Sequence, residues 1–186
     1  KDKVVELEKK SSAAPDDRET MRLLAVAYGQ SGSSDKAVVL FKKLAAAEPE
    51  ETSHLQNLGN FSFQAGNYQE GISAFQKLAE KAPHAKPQAY ERIASGYASL
   101  KNNGEAAKWA AKLGDLATEK TPYMYVQQGN LYGRLAMMDK AVDAFNKAIS
   151  AATTPQQKED FRFQMATFHV GQKQLPEAEK LLGELA

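Results

Sequence analysis

The side chains that most often perform catalysis are sparse and scattered in this sequence. Its three histidines, His54, His84 and His169, lie far apart, and none pairs with another across the short glutamate-containing spacing of a zinc protease. The chain contains no cysteine, which excludes thiolate nucleophiles, disulfides and cysteine-ligated metal sites. The Gly-x-Ser-x-Gly motif of a serine hydrolase and the Gly-Lys-Ser/Thr phosphate loop are also absent. We therefore expect no catalytic residue, no metal site and no cofactor, and predict that the protein is not an enzyme.

Charge and hydropathy narrow the class of partner. The 24 lysines and arginines balance 23 aspartates and glutamates, which leaves a formal net charge of +1. Such a balance produces no long-range field toward nucleic acid or an acidic membrane surface, and nucleic acid is therefore not an expected partner. No apolar run approaches the ~20 residues that span a bilayer, and we expect no direct membrane insertion. The sequence does not indicate a compartment.

The elements that must position any functional side chain repeat along the chain. Landmark residues recur 34 positions apart, for example Phe41 with Phe75 and Pro49 with Pro83. A column of Tyr28, Ser62, Tyr97, Tyr132 and His169 continues the repeat with steps of 34, 35, 35 and 37. Because periods of this length are typical of repeat proteins, we expect stacked supersecondary units rather than one irregular core.

Each sequence repeat has the apolar spacing of two helices. In the first unit, Met21, Leu24, Ala25 and Tyr28 follow the i, i+3, i+4, i+7 pattern of one amphipathic helix, and a second stripe begins at Ala37. Short polar or glycine-containing breaks separate the two helices of a unit, and prolines lie between units. The pattern predicts a series of antiparallel helix pairs.

Small and large residues alternate along these stripes in the manner of a known family. Small residues such as Gly59 and Gly129 mark close helix contacts, while rings such as Phe41, Phe75 and Phe145 fill the spaces between helices. In period, residue class and proline placement the chain resembles the tetratricopeptide repeat family. The resemblance implies an all-α fold, an α-solenoid of antiparallel helix pairs that forms a right-handed superhelix.

Domain boundaries follow from the repeat. Residues 17–186 are predicted to form five tetratricopeptide-like repeats, at about 18–51, 52–86, 87–121, 122–158 and 159–186. Residues 1–14 align with the second helix of a repeat and are interpreted as the remnant of a preceding one. The last stripe position of the fifth repeat is Leu185.

The resemblance also implies where a partner binds, because these arrays hold ligands on the concave face. The first-helix residues that turn toward that groove are rich in amides and arginines, which donate and accept hydrogen bonds to a peptide backbone or pair with carboxylates. The expected partner-binding residues are Arg22, Gln56, Asn57, Asn60, Phe63, Arg92, Tyr123, Gln127, Asn130 and Arg134.

Some family members clamp the carboxylate of chaperone tails with a set of lysine, asparagine and arginine residues. Arg22, Asn57 and Arg92 occupy matching places here. Val26 stands where the clamp needs an asparagine, and Gln88 stands where it needs a lysine. The clamp is incomplete, and the sequence does not predict a chaperone adaptor.

The function expected from these features is a scaffold for protein–protein interaction that binds a peptide or protein segment in the concave groove. Two alternatives remain open at this point. The terminal repeats could mediate self-association into a homo-oligomer, or the segment could regulate a larger enzyme or membrane assembly.

Overall fold

The computed structural model describes residues 2–118 and 121–183, and these residues form helices joined by short turns. The eleven α-helices of the described residues are Asp2–Ala13 (α1), Arg18–Gln30 (α2), Ser34–Ala47 (α3), Thr52–Gln64 (α4), Tyr68–Lys81 (α5), Lys86–Ser99 (α6), Asn103–Gly114 (α7), Tyr123–Arg134 (α8), Met138–Ser150 (α9), Pro155–Gly171 (α10) and Leu175–Gly183 (α11). A short 3-10 helix, Pro83–Ala85, precedes α6. The predicted all-α fold of helix pairs is confirmed. Leu185 lies outside the described residues.

The chain divides into two compact units, Lys1–Leu100 and Lys101–Ala186. In the first unit each helix from α1 to α6 packs against the next. In the second unit each helix from α7 to α11 does the same. The boundary falls in the turn between α6 and α7, inside the third of the predicted repeats.

Large rings from the second helix of three pairs, α3, α5 and α9, fill the core. In the first unit Phe41 and Phe75 are fully buried. The nearest ring atom of Phe75 lies 2.6 Å from the position that a Cβ on Gly59 would occupy. In the second unit Phe145 is fully buried and lies in the same way against Gly129, at 2.9 Å from that glycine's ideal Cβ position. The predicted alternation of small and large residues therefore sets how closely the two helices of a pair approach.

Five equivalent turns reverse the chain between the helices of each pair, and each contains one residue with positive φ. Glycine occupies this position in the first two turns, at Gly32 and Gly66. Lys101, Ala136 and Lys173 occupy it in the other three, with φ values of 60°, 56° and 61°. Four of the turns close with the paired bonds of a Schellman motif, as where Ala136 N donates to Gly133 O and Met137 N donates to Tyr132 O. The repeat therefore imposes a left-handed residue even where the sequence provides none suited to it.

Replacing Ala136 by glycine should stabilise the protein. An L-residue in the left-handed region costs ~1–2 kcal/mol, and glycine removes this cost. Glycine also loses more backbone entropy on folding, so the net gain in stability is smaller than the cost removed. We expect Ala136→Gly to raise the free energy of unfolding by about 0.5–1 kcal/mol, measured by urea denaturation. As the matched control, Gly66→Ala should lower it by about 1 kcal/mol, since the added Cβ meets no atom within 4 Å and only the φ of 80° opposes it. Equal stability of both variants and the wild type would contradict this interpretation of the turns.

Helix α1 docks on the first complete helix pair. Leu7 is buried and packs with Leu24 and Ala27 of α2. The phenol of Tyr28 donates a hydrogen bond of 2.7 Å to Oε1 of Glu8. Burial, together with this bond, raises the pKa of Tyr28 to about 12.

The raised pKa makes the docking of α1 sensitive to alkaline pH. In the unfolded chain the Tyr28 phenol ionises near its ordinary pKa of about 10, so the stabilisation is fully present below that value and is lost as the pH rises toward about 12. We expect the difference in unfolding free energy between wild type and Tyr28→Phe to be constant at neutral pH and to shrink over this alkaline range, measured by urea denaturation at a series of pH values. A difference that stays constant across that range would contradict it.

Candidate functional site

Four of the predicted partner-binding residues come together in one pocket of the first unit. The pocket has a volume of about 470 Å³ and opens between α4 and α6. We call it the amide pocket and define it by its lining residues: Asn57, Asn60, Phe61, Phe63, Gln64 and Arg92. The spacing of Asn57, Asn60 and Gln64 by three and then four residues places them on one face of α4, which explains why they share one opening.

The polar groups of the amide pocket are available to a ligand. Among the described residues, no protein hydrogen bond or ion pair engages the amide groups of Asn57 and Asn60 or the guanidinium of Arg92. Both amides are half-buried, and Arg92 is exposed. An amide offers two donors and an acceptor to a peptide backbone, and a guanidinium binds a carboxylate through paired N–H groups. The pocket can therefore hold an extended chain next to a negative charge.

Aromatic packing holds the apolar wall of the amide pocket in place. The ring of Phe61 stacks on buried Phe41 with centroids 5.5 Å apart. The ring of Phe63 packs at the same distance against buried Phe75. Since both rings are half-buried, they combine a fixed orientation with surface that a ligand can cover. An apolar ligand side chain would meet this wall without requiring it to rearrange.

The structure places two predicted residues of the first unit elsewhere. Arg22 pairs with Glu19 on its own helix, with a nitrogen to oxygen distance of 2.5 Å, and this hydrogen bond lowers the pKa of the Glu19 carboxyl. Arg22 lines a separate cavity of about 700 Å³ beside the start of α4. Gln56 donates a hydrogen bond of 3.3 Å to Gln88. Neither side chain lines the amide pocket.

The cavity beside Arg22 contains charged groups that already have partners. His54 is buried and contacts Glu48, with 2.8 Å between Nε2 and Oε2. The hydrogen bond from His54, followed by that from Arg18, lowers the pKa of the Glu48 carboxyl. Glu51 accepts a hydrogen bond from the backbone N–H of Ser53 and thereby caps α4. These bonds indicate a structural joint between α3 and α4 rather than a ligand site.

The four predicted residues of the second unit follow one face of α8. Tyr123, Gln127, Asn130 and Arg134 are spaced by four, three and four residues, which keeps them in line along the helix. Tyr123 is 47% exposed, and Asn130 and Arg134 are exposed as well. Gln127 is half-buried, and its Oε1 is a buried acceptor without a partner. These residues form a linear polar face on the second unit.

The pair of helices α8 and α9 has the sequence features of a known family. Residues 122–154, which contain both helices, match the family model of the tetratricopeptide repeat. The solved structure of TTC0263, a thermophilic tetratricopeptide repeat protein of Thermus thermophilus, superposes with a TM-score of 0.54 at 18% identity, covering 90% of this chain and 89% of that one. Residues 122–154 therefore match a tetratricopeptide repeat, and the chain has the fold of proteins built from such repeats.

Other solved structures share the fold of this chain. MamA from Desulfovibrio magneticus RS-1 (residues 41 to the end) has a TM-score of 0.59 at 18% identity, with 91% of this chain and 93% of that chain covered. PilF of Pseudomonas aeruginosa has a TM-score of 0.59 at 14% identity, with 97% and 80% covered. No curated protein matches the sequence. At these identities the likeness shows the fold alone.

Two residues whose positions matter here, Phe61 and Val126, are not among those that the sequence singled out. Phe61 was missed, although it stands four residues after Asn57 and therefore lies on the same face of α4. Val126 stands one residue before the predicted site residue Gln127, yet it is fully buried. The residue type of Val126 is the signal that could have shown its burial, since an isolated valine among amides is better suited to a helix contact.

Two of the three histidines, His54 and His169, are buried. Within residues 2–118 and 121–183, no three histidine, aspartate or glutamate side chains are grouped so that they could hold a metal ion. His169 is buried against Phe168, and its Nδ1 lies 2.8 Å from Gln174 Oε1, in accord with a packing role in the repeat tyrosine position. In the same ranges, every helix is too short or too polar to cross a membrane.

Proposed function

We propose that this protein is a non-enzymatic scaffold that binds an extended segment of a partner protein, and that the amide pocket is the principal contact. The single observation that carries the proposal is the convergence of Asn57, Asn60 and Arg92 beside the rings of Phe61 and Phe63. The tetratricopeptide repeat fold supports a role in protein interaction generally. The pocket chemistry adds the kind of segment: an extended backbone, an acidic side chain for Arg92 and an apolar side chain for the aromatic wall.

Selection from a random dodecapeptide library displayed on phage would test the proposal, because it does not require the natural partner to be identified first. Peptides selected on the wild-type protein should be enriched in aspartate or glutamate next to an apolar residue. Removing a charge-assisted hydrogen bond costs ~1.5–3 kcal/mol, and Arg92→Ala should therefore weaken the selected peptides by about tenfold to a hundredfold. Asn60→Ala should weaken them by a smaller factor, because its hydrogen bonds to a peptide are neutral.

The matched control is Arg18→Ala. Arg18 is also an exposed arginine of the first unit, but it pairs with Glu48 at 3.3 Å and does not line the amide pocket. This variant should bind the selected peptides like the wild type. Equal affinity of wild type and Arg92→Ala, or peptide-induced shifts of backbone amides confined to helices other than α4 and α6, would rule the pocket out.

Self-association is a second candidate role, and a separate observation favours it. Helices α10 and α11 expose large apolar side chains, among them Phe163 and Leu175, which are 58% and 55% exposed. Contiguous apolar surface on a folded protein commonly marks an interaction face. The amide pocket and this surface lie in different units and can be tested independently.

A further inference from the structure

The second unit exposes four large apolar side chains on its last helix pair, two on each helix. Phe163 and Val170 of α10 are 58% and 50% exposed, and their spacing of seven residues places them on one face, two turns apart. Leu175 and Leu182 of α11 are 55% and 42% exposed with the same spacing. We call these four side chains the terminal strip. Scattered surface hydrophobics are ordinary, but a pair at seven-residue spacing on each of two helices that pack together is not.

Equivalent positions on earlier helices are covered by the next helix pair. Gly29 of α2 contacts the ring of Phe61 in α4, and Gly133 of α8 contacts the ring of Phe168 in α10. Val170 is the next member of this column, 37 positions after Gly133. In the same way Phe163 follows fully buried Val126 by 37 positions. The repeat therefore places on α10 two exposed side chains whose counterparts on α8, Val126 and Gly133, are buried.

We propose that the terminal strip binds the terminal strip of a second copy of this chain, with the two α10 helices antiparallel about a two-fold axis. Charge complementarity supports this occupant. Exposed Asp160 lies three residues before Phe163, and exposed Lys173 lies three residues after Val170. Antiparallel pairing that sets each Phe163 on the other copy's Val170 brings each Asp160 to the end of the interface where the other copy's Lys173 lies, in the turn that follows α10. The arrangement is self-complementary, as a two-fold interface requires.

A head-to-tail arrangement through α1 fits these surfaces less well. The outward side of α1 carries an exposed ion pair between Glu6 and Lys10, at 2.6 Å. Covering that pair with leucine and phenylalanine side chains would remove charges from water without a compensating partner. The apolar terminal strip of a second copy is therefore a better match in polarity than the charged surface of α1.

Sedimentation equilibrium over a range of protein concentrations tests for this dimer. We expect the wild type to dimerise and Phe163→Asp to weaken the dimer by about thirtyfold or more, as truncation of a central interface aromatic does. Val39→Asp is the matched control, since Val39 is 54% exposed on α3 in the other unit and should leave the mass unchanged. A wild type that remains monomeric at the highest attainable concentration overturns the proposal.

Charge reversal tests the antiparallel register. Asp160→Lys places two lysines opposite each other at both ends of the interface and should weaken the dimer by about tenfold. Adding Lys173→Asp should restore it, and aspartate tolerates the left-handed φ of 61° at that position better than most residues. Failure of the double variant to recover the affinity would exclude this register.

A single cysteine distinguishes the two-fold dimer from other assemblies. Thr167 lies on the same face of α10, between Phe163 and Val170, and therefore close to the proposed axis and to the other copy's Thr167. Because the chain contains no cysteine, Thr167→Cys introduces a unique thiol. A short bis-maleimide should crosslink this variant into dimers but leave the exposed control Ser73→Cys of α5 largely monomeric. Crosslinking of both variants alike would contradict the two-fold interface, and a negative result here leaves the amide pocket unaffected.

Discussion

Phe75→Ala should cost the first unit about 3–5 kcal/mol of unfolding free energy, the range measured for removal of a buried phenylalanine ring. Phe75 is fully buried and contacts both helices of its pair and the neighbouring ring. Its ring lies 2.6 Å from the ideal Cβ position of Gly59 and its centroid is 5.5 Å from that of Phe63. Glycine at position 59 has no side chain that could move into the space, and the cavity would therefore persist.

Native-state hydrogen exchange would measure this loss unit by unit. Amides of α4 and α5 should exchange faster in Phe75→Ala, in proportion to the lost stability. Phe75→Leu is the control, because it keeps most of the volume and should cost less than about 1.5 kcal/mol. A loss below about 1 kcal/mol for the alanine variant would mean that Phe75 is not the main packing element of this helix pair.

The helices were predictable because the sizes of the buried side chains recur along the sequence, whereas the surface residues do not. Phe41, Phe75 and Phe145 occupy the same position in their respective repeats, and all three are fully buried. A helix pair buries its core only when a large side chain meets a small one, so the period of residue size along the chain reports the fold. Even the turn at Ala136 follows this period, although alanine gives no local signal for a positive φ.

The candidate site was predictable only in part. Asn57, Asn60 and Arg92 could be grouped because helical phase determines which face a residue occupies, and they do share the amide pocket. Arg22 and Gln56 have the correct phase but bond to Glu19 and Gln88 instead. Such pairings depend on the length and rotamer of each side chain and on the distance to the neighbouring helix, none of which the repeat period contains.

Helical phase also fails to predict the burial of one apolar residue, for a related physical reason. A first helix has two neighbours, its own second helix and the next first helix, and the i, i+3, i+4, i+7 stripe describes the contact with only one of them. Val126 lies outside that stripe and is nonetheless fully buried. Phe163 is its counterpart on α10, and its exposure of 58% is therefore a departure from the pattern rather than an ordinary surface residue.

Gly133→Leu should destabilise the second unit by about 3 kcal/mol, the upper part of the range for overpacking a closely packed contact. A Cβ on Gly133 would lie 2.3 Å from the ring of Phe168, which is itself only 9% exposed. The ring cannot swing away freely, because it packs on buried Phe145 with centroids 5.1 Å apart. The leucine therefore displaces α10 from α8 or forces strained rotamers.

A second substitution on the opposite helix separates this contact from a general intolerance of Gly133. Phe168→Ala alone leaves a cavity and should cost about 3–5 kcal/mol. Combined with Gly133→Leu it moves the large side chain from α10 to α8, and the double variant should be more stable than the sum of the two losses predicts, by about 1–3 kcal/mol. Urea denaturation of the four proteins in this cycle measures the coupling. Strictly additive losses would show that Gly133 and Phe168 do not form the contact that joins α8 to α10. This contact also bears on the proposed dimer, because Val170 occupies the position on α10 that Gly133 occupies on α8.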